Sequence, residues 1–578
     1  MMSDQKLDDL IETRGILKGL NSTLGITSIS LVIVFVLYAI LLGKTASTQF
    51  LNIKTWIEQT LGWYYIALML AAFLICLYFM FSKIGKIRLG QDHERPEFSN
   101  FAWFSMLFSC GTGAGMLFFS MSEPMIHFAS QWSGGNPFMN AETKLAVSDF
   151  FTAKQAALDA GLMPGDAQFP MPNDLVSDAA AAGLTLTFFH WGTVAWGMYG
   201  FVGLSLAYFS FRKGLPLSIR SALYPLIGNR IYGPIGNAAD ILAVLGTIFG
   251  ISTTLGLGTQ QIGAGLVALG FIEQSSQTIT VCSIVLVTAL ATLSATSGVG
   301  RGIKSLSTLN TYICLILLAY FLFASSGTNY IIANSLTTLG DFISNAMSMS
   351  LWTARSPLER TWQGSWTIFY WGWWIAWSAF VGLFIARISR GRTIREFILG
   401  VILTPSLAAM AWFSIIGSAG IYESIYGADI SIYQAAVTNW DYAGSLYRSF
   451  DVLTPGVIAI IAKAFALVAV IIFFITAADS GTLVLGRLLA FGRRPPKQQL
   501  VIWGGVLGTV TLIVLLMGGT EAMQGLQAAS IAGALPFSIV IIAMMAGLIK
   551  SLRKDSELLI VDKETVKKMI AKEMADSP

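Results

Sequence analysis

Along the chain, long apolar runs alternate with shorter polar connections. The runs cover residues 24–43, 62–82, 101–122, 183–209, 237–269, 278–296, 309–326, 362–387, 394–417, 455–476, 500–517 and 530–549. Most approach or exceed the roughly 20 residues a helix needs to cross about 30 Å of hydrocarbon. The pattern therefore predicts an all-α integral membrane protein with about 12 transmembrane helices. The first run lacks a cleavage-site pattern and reads as a retained helix, not a signal peptide. Two connections are long. Residues 123–182 are rich in Gly, Pro, Asn and Asp and predict an outer loop. Residues 330–352 carry Ile331, Ile332, Leu336, Leu339, Ile343 and Met347 at helical spacing, predicting an amphipathic helix on the outer surface. The divisions that follow are a polar segment 1–22, a membrane domain 23–549 and a charged tail 550–578 that reads as a solvated helix with i,i+4 pairs.

Composition agrees with this pattern: 54% of residues are hydrophobic and 12% charged, against about 25% charged in soluble domains. The net charge of +4 matters less than where the positive residues lie. One alternating set of loops holds Lys83, Lys86, Arg88 and Arg95; Arg212, Lys213, Arg220 and Arg230; Arg301 and Lys304; Arg387, Arg390, Arg392 and Arg395; and Arg487, Arg493, Arg494 and Lys497. The opposite set holds Lys44, Lys54, Lys144, Lys154, Arg355, Arg360 and Arg448. The richer set is expected in the cytoplasm, with both termini. Cys76, Cys110, Cys282 and Cys314 lie in apolar runs without CxxC or Cys/His spacing, so they read as small buried hydrophobes. His93, His127 and His190 are scattered in sequence and argue no cluster. A membrane enzyme acting on lipid would need clustered acids, a Ser/His pair or metal ligands in the spans; with none visible, the chain is expected to be no enzyme, to carry no cofactor and to bind no nucleic acid.

The run from Trp366 to Trp377 places five tryptophans in one predicted helix. Spacings of three, four and seven put Trp366, Trp373, Trp374 and Trp377 near one face and leave Trp371 elsewhere. Such a stripe of indole faces attracts a cation with no N–H to donate, as in aromatic cages for quaternary ammonium. In the fourth span, Trp191, Trp196 and Tyr199 can supply an opposite wall, and His190 reads as a hydrogen-bonded packing residue and not as a proton relay. Gly111, Gly113 and Gly115 alternate in the third span. Each glycine weakens a helix by up to about 1 kcal/mol relative to Ala, so the backbone there can unwind to line a cavity or can pack closely through small residues. Thr247 to Thr254 and Thr476 to Ser480 bring hydroxyls into glycine-containing helices, which suits a hard cation but also describes ordinary back-bonding. Asp479 is an ionisable group near membrane depth.

Taken together, these residues resemble the betaine/choline/carnitine transporter (BCCT) family. The resemblance rests on the Trp366–Trp377 run followed by Phe380 to Arg392, on the glycine stretch with Ser122-Glu123-Pro124 after it, on His190-Trp191 with Trp196 and Tyr199, on Gly298 to Gly302, and on Ala478-Asp479-Ser480. It implies a secondary transporter with a leucine-transporter-like fold, in which spans 3–7 and 8–12 form two inverted repeats, assembled as a homotrimer in a bacterial inner membrane. It implies cation-coupled symport of an onium osmolyte, glycine betaine first, with choline, carnitine or a sulfonium analogue next; exchange or a non-transporting osmosensor are the alternatives. It assigns the aromatic box to Trp191, Trp196, Tyr199, Trp373, Trp374 and Trp377, with Gly111, Gly113 and Gly115 beside it. It also assigns candidate sodium positions to Thr112, Thr247, Asn310, Phe380 and Thr476. Two residues depart from sodium-coupled betaine carriers: Ile251 and Ala477 stand where hydroxyls are usual. The coupling cation is thus left between Na+ and H+. Gly115 stands where choline carriers of the family often have Asp.

Overall fold

The computed structural model describes residues 10–111, 113–297, 300–518 and 522–575, and the described elements are almost all helical. In chain order we label α1 (Ser22–Leu42), α2 (Lys44–Phe81), α3 (Asn100–Gly111), α4 (Ala114–Phe119), α5 (Ser122–Ala129), α6 (Ala141–Asp159), α7 (Asp174–Trp191), α8 (Thr193–Ala207), α9 (Pro234–Ala268), α10 (Gln277–Ser297), α11 (Gly300–Ala324), α12 (Thr328–Leu351), α13 (Pro357–Gln363), α14 (Phe369–Ile388), α15 (Ile394–Tyr426), α16 (Tyr442–Leu453), α17 (Val457–Leu489), α18 (Lys497–Gly518) and α19 (Ala522–Ala575).

Eleven described helices are long and apolar enough to cross a membrane. The twelfth expected span, 101–122, is split into α3 and α4, and Gly113 between them is extended (φ −146°, ψ 174°). Neither piece reaches spanning length alone, which accounts for eleven instead of about twelve. Within the bundle, burial sorts the spans. The apolar windows of Asp174–Arg212 and Pro357–Ile388 are each 89% buried, against 22% for α10, so α7, α8 and α14 form the centre, enclosed by other helices. Leu41, Phe81, Leu293, Phe323, Val457 and Ile539 are exposed and form part of an apolar outer surface, as a lipid-facing belt requires.

At one end of the bundle four of the five predicted basic loops meet; the side chains of Arg301 and Lys304 in the fifth lie outside the described residues. Arg88 pairs with Thr393 in a short antiparallel bridge, Leu89 N–H donates to the Arg392 carbonyl at 2.8 Å, and the Arg392 guanidinium lies 3.9 Å from the Trp103 ring centre. Arg212 reaches Asp92 at 2.7 Å, and Asp555 near the end of the membrane portion of α19 accepts from Lys213 at 2.6 Å and from Tyr208 at 2.8 Å. The start of α1 joins them, Asn21 N–H donating to the Leu489 carbonyl at 2.9 Å. Loops grouped from charge alone are therefore neighbours in space. Cys282 departs from its expected burial and lies exposed on α10.

The connection expected over 123–182 begins inside the bundle instead: every residue of α5 is buried, with Glu123 bonded to His190 and Trp191 of α7, and only α6 and the start of α7 build the connection at the opposite end. The Lys154 ammonium on α6 donates to the carbonyls of Ser424 and Ile425 at 2.8 and 2.7 Å, capping the last turn of α15, where unpaired carbonyls favour a cation. Burial pushes Lys154 down to about 8 from the ordinary lysine value, while the Glu423 and Asp429 carboxylates pull it up. The folded chain thus holds this proton more weakly than the unfolded one. The contribution of Lys154 to stability is expected to rise as pH increases from about 8 towards the ordinary lysine value. A thermal-unfolding series across that range should show the rise in the parent and not in Lys154→Met. Outside the bundle, α12 buries Ile331, Asn334, Thr338 and Phe342 and leaves Ile332, Leu336, Ile343 and Met347 exposed. Asn334 donates to Ser418 at 3.0 Å. The predicted helix exists, and its buried and exposed faces each mix apolar with polar residues, Thr337, Ser344, Asn345 and Ser348 being exposed as well.

Candidate functional site

The centre of the bundle encloses a cavity of about 50 Å³. Its wall holds all six predicted aromatics, Trp191, Trp196, Tyr199, Trp373, Trp374 and Trp377, together with Gly113 and Gly115 of the broken span. Gly111 is the last residue of α3, and Thr112 lies outside the described residues. Met116, Ala195, Thr254, Val381 and Ala409 complete the wall and had no signature in the sequence beyond being small or apolar.

The rings interlock. Trp373 and Trp374 stack with centroids 4.8 Å apart, Trp191 meets Trp374 edge-on at 5.1 Å, Trp196 meets Tyr199 at 5.1 Å, and Tyr199 meets Trp374 at 5.9 Å. Hydrogen bonds fix two of the indoles: Trp191 Nε1 donates to Glu123 at 2.8 Å and Trp374 Nε1 to the His190 carbonyl at 2.9 Å. Trp373 and Trp377 have buried N–H groups without a hydrogen-bond partner among the described residues. A wall of indole and phenol faces is suited to a cation that needs no hydrogen bond.

Backbone geometry makes room for the cavity. A Cβ added at Gly115 would lie 2.6 Å from Trp373 Cη2 and 3.1 Å from Trp191 Cη2, so this position has no space for the Asp considered above. Forcing atoms into a packed region costs about 1–3 kcal/mol. Gly115→Ala is therefore expected to weaken binding of a methylated ammonium compound by about fivefold to a hundredfold, read by tryptophan fluorescence. Unchanged affinity would mean the two rings move freely.

One expected member of the tryptophan face is displaced. Residues Gly364–Ile368 form a π turn before α14 begins. Its extra residue shifts the phase of what precedes it by about 100°. Trp366 accordingly packs against His127, 4.5 Å away, and not in the cavity wall. Trp371 points away from the cavity, edge-on to Phe189 at 5.2 Å, as its position in the helix predicted.

Among the ion candidates, Thr247 and Asn310 are buried with side-chain oxygens lacking a hydrogen-bond partner among the described residues. Phe380 packs edge-on against Trp377 at 5.2 Å. The Thr476 hydroxyl donates within its own helix to Ile472 and Phe473 carbonyls at 2.9 and 3.0 Å. Ile251 Cδ1 occupies the space a side chain on Gly481 would take, 2.5 Å from that Cβ position, so hydrocarbon fills this seam between α9 and α17. Asp479 is buried within α17, well short of its end, and is not a helix cap.

Sequence reasoning missed a cluster behind Trp191. Glu123, carried only as part of a motif, is fully buried and accepts from His190 Nδ1 at 2.8 Å, Trp191 Nε1 at 2.8 Å and the Tyr370 hydroxyl at 2.5 Å. His127 lies one turn along α5 with Nε2 3.4 Å from Glu123. Two histidines that looked scattered therefore share one carboxylate. The available signal was an acid flanked by apolar sequence with His at i+4. The three ligand-type atoms lie within 4.8 Å of one another, but the His190 to Glu123 separation of 2.8 Å is that of a hydrogen bond. His190 is indeed a hydrogen-bonded residue, its other nitrogen lying 3.1 Å from Thr367 Oγ1.

Comparison with known proteins supplies the remaining observation. The sequence profile of the betaine/carnitine/choline family of transporters matches residues 23–164 and 167–557. A glycine betaine transporter of Acinetobacter baylyi is 40% identical over 539 residues, 93% of this chain and 74% of the relative. The glycine betaine transporter OpuD of Bacillus subtilis is 38% identical over 532 residues, 91% of this chain and 94% of the relative. A high-affinity choline transport protein of Escherichia coli is 36% identical over 540 residues, 92% and 72% respectively.

Proposed function

The chain belongs to the betaine/carnitine/choline transporter family, and from that premise we propose that it imports an onium osmolyte, glycine betaine first, by cation-coupled symport. The observation that carries this reading is the cavity walled by Trp191, Trp196, Tyr199, Trp373, Trp374 and Trp377. Attraction between a methylated ammonium and each ring face is worth about 0.5–2 kcal/mol, and several rings act on one head group. The head is common to betaine, choline and carnitine, so the box recognises the class; the carboxylate or hydroxyl is left to helix ends and backbone N–H groups near the unwound Gly113. Glycine betaine ranks first because Gly115 leaves no room for an acid that would pair with a substrate lacking its own.

The same reading includes the inverted repeat of spans 3–7 and 8–12, a homotrimer, and a bacterial inner-membrane location with both termini cytoplasmic. The gathering of basic loops with the start of α1 and the membrane end of α19 supports that orientation. Purified protein in liposomes should take up labelled glycine betaine or choline with saturation. Absence of saturable uptake and of binding for every onium compound would end the proposal. Counterflow that persists while no imposed ion gradient drives accumulation would favour exchange.

A further inference from the structure

We propose that Glu123 and His127 form a proton-binding site that couples the aromatic box to inward proton flow, with His127 Nε2 taking the proton and the Glu123 carboxylate holding it. This rests on the transporter reading and names its coupling ion.

Charge and hydrogen-bond accounting point to it. Glu123 is fully buried, and its ion-pair partners among the described residues are two histidines and no Lys or Arg. His127 is 1% exposed, and neither ring nitrogen has a hydrogen-bond partner among the described residues. A buried polar group left unpaired costs about 1–3 kcal/mol, and a buried carboxylate held only by neutral donors, as Glu123 is by His190, Trp191 and Tyr370, keeps an uncompensated charge. One proton on His127 Nε2, 3.4 Å from Glu123 Oε1, relieves both: a slight approach gives a charge-assisted hydrogen bond and a neutral pair.

His190 is already engaged. Its Nδ1 stands 2.8 Å from Glu123 and its Nε2 3.1 Å from the Thr367 hydroxyl, an arrangement satisfied by the neutral ring with the hydrogen on Nδ1. The other titratable groups facing the pair are Tyr370 on α14, which donates to Glu123, and Tyr442 at the start of α16. Three charged groups on neighbouring elements are committed elsewhere: Lys154 of α6 to the α15 carbonyls, Glu423 of α15 to Ser325, and Arg360 of α13 to the Arg355 carbonyl.

Coupling follows from shared atoms. Glu123 Oε2 also accepts from Trp191 and Tyr370, so the carboxylate that holds the proton also holds one wall of the cavity. Loading neutralises the buried charge before a zwitterion enters; unloading restores it beside the substrate. One N–H bond forms at His127 as an O–H bond of hydronium on the outer side breaks, and on release that N–H bond breaks as an O–H bond forms on a water of the inner side. In the seam between α9 and α17, Ile251 sets hydrocarbon, which offers sodium no oxygen ligand, against Gly481.

The test is uptake of labelled glycine betaine into liposomes with an acid-outside gradient of about two pH units, membrane potential clamped and no sodium. One proton per zwitterion supports accumulation of up to about a hundredfold, abolished by a protonophore. His127→Phe keeps a ring against Trp362 and Trp366 without a titrating nitrogen, and His127→Gln keeps polarity. In both, gradient-driven accumulation should fall at least tenfold and the pH profile of onium binding, read by tryptophan fluorescence, should flatten. Parent uptake that ignores the pH gradient and follows sodium overturns the inference, even if neither variant assembles. So does a folded His127→Phe that accumulates substrate like the parent. Onium binding without proton coupling sinks only this inference, whereas no onium binding at all sinks the transporter reading beneath it.

Discussion

Asp240→Asn is expected to destabilise the folded transporter by about 3–5 kcal/mol, the cost of breaking a buried ion pair from one side. Arg220 is 1% exposed and Asp240 fully buried. The guanidinium donates to Asp240 at 2.5 Å, to the Ile231 carbonyl at 3.2 Å and to Asn237 at 2.8 Å, and lies 4.5 Å from the Phe491 ring centre. Asp240 also accepts from Ser218 and from the Arg220 N–H at 2.6 and 3.0 Å. One carboxylate therefore ties the connection after α8 to the first turns of α9. The amide removes the charge and leaves the guanidinium buried without its counter-ion. Replacing both partners, as Arg220→Met with Asp240→Leu, should recover only part of the loss, because Ser218 and the Arg220 N–H still lose their acceptor. Thermal unfolding in detergent, with membrane expression alongside, measures this; a midpoint for Asp240→Asn equal to the parent's would show that the pair holds nothing.

This pair also marks what the sequence could and could not disclose. Arg220 was legible only as one more basic residue in a loop, since a positive charge sorts a loop by side without revealing a partner 20 residues later. Spans were legible because apolar length is a one-dimensional property. That these aromatics share one cavity wall was legible because helical periodicity is local, and Trp373, Trp374 and Trp377 lie within little more than one turn. Trp366 was misplaced for a local reason as well: the π turn at Gly364–Ile368 is one residue out of phase with the α-helical rule applied across it. Glu123 and His127 stand four apart on α5, a spacing that could be read, but His190 joins them through a contact between α5 and α7, which are far apart in sequence. Ile251 was recognised as a departure; that its side chain fills the seam at Gly481 required coordinates.

Trp377→Leu and Trp371→Leu are expected to fail in opposite ways. Trp377 lines the cavity, is only part-buried, and has an N–H with no hydrogen-bond partner among the described residues. Leucine there keeps apolar bulk but removes a π face worth about 0.5–2 kcal/mol, so onium affinity should fall about twofold to thirtyfold. Stability should change little, because no hydrogen bond is lost. Trp371 is 1% exposed, wedged edge-on against Phe189 and His190 at 5.2 and 6.1 Å, and lies outside the cavity wall. Leucine there leaves a void in a packed core, a change whose cost approaches the roughly 3–5 kcal/mol of a full Trp truncation. Its thermal midpoint should drop while the affinity of the surviving folded fraction stays near the parent's. Measuring both quantities on both variants separates substrate recognition from packing on a single helix. If Trp371→Leu binds more weakly than Trp377→Leu, or if Trp377→Leu binds as tightly as the parent, the cation is held by some other face of α14.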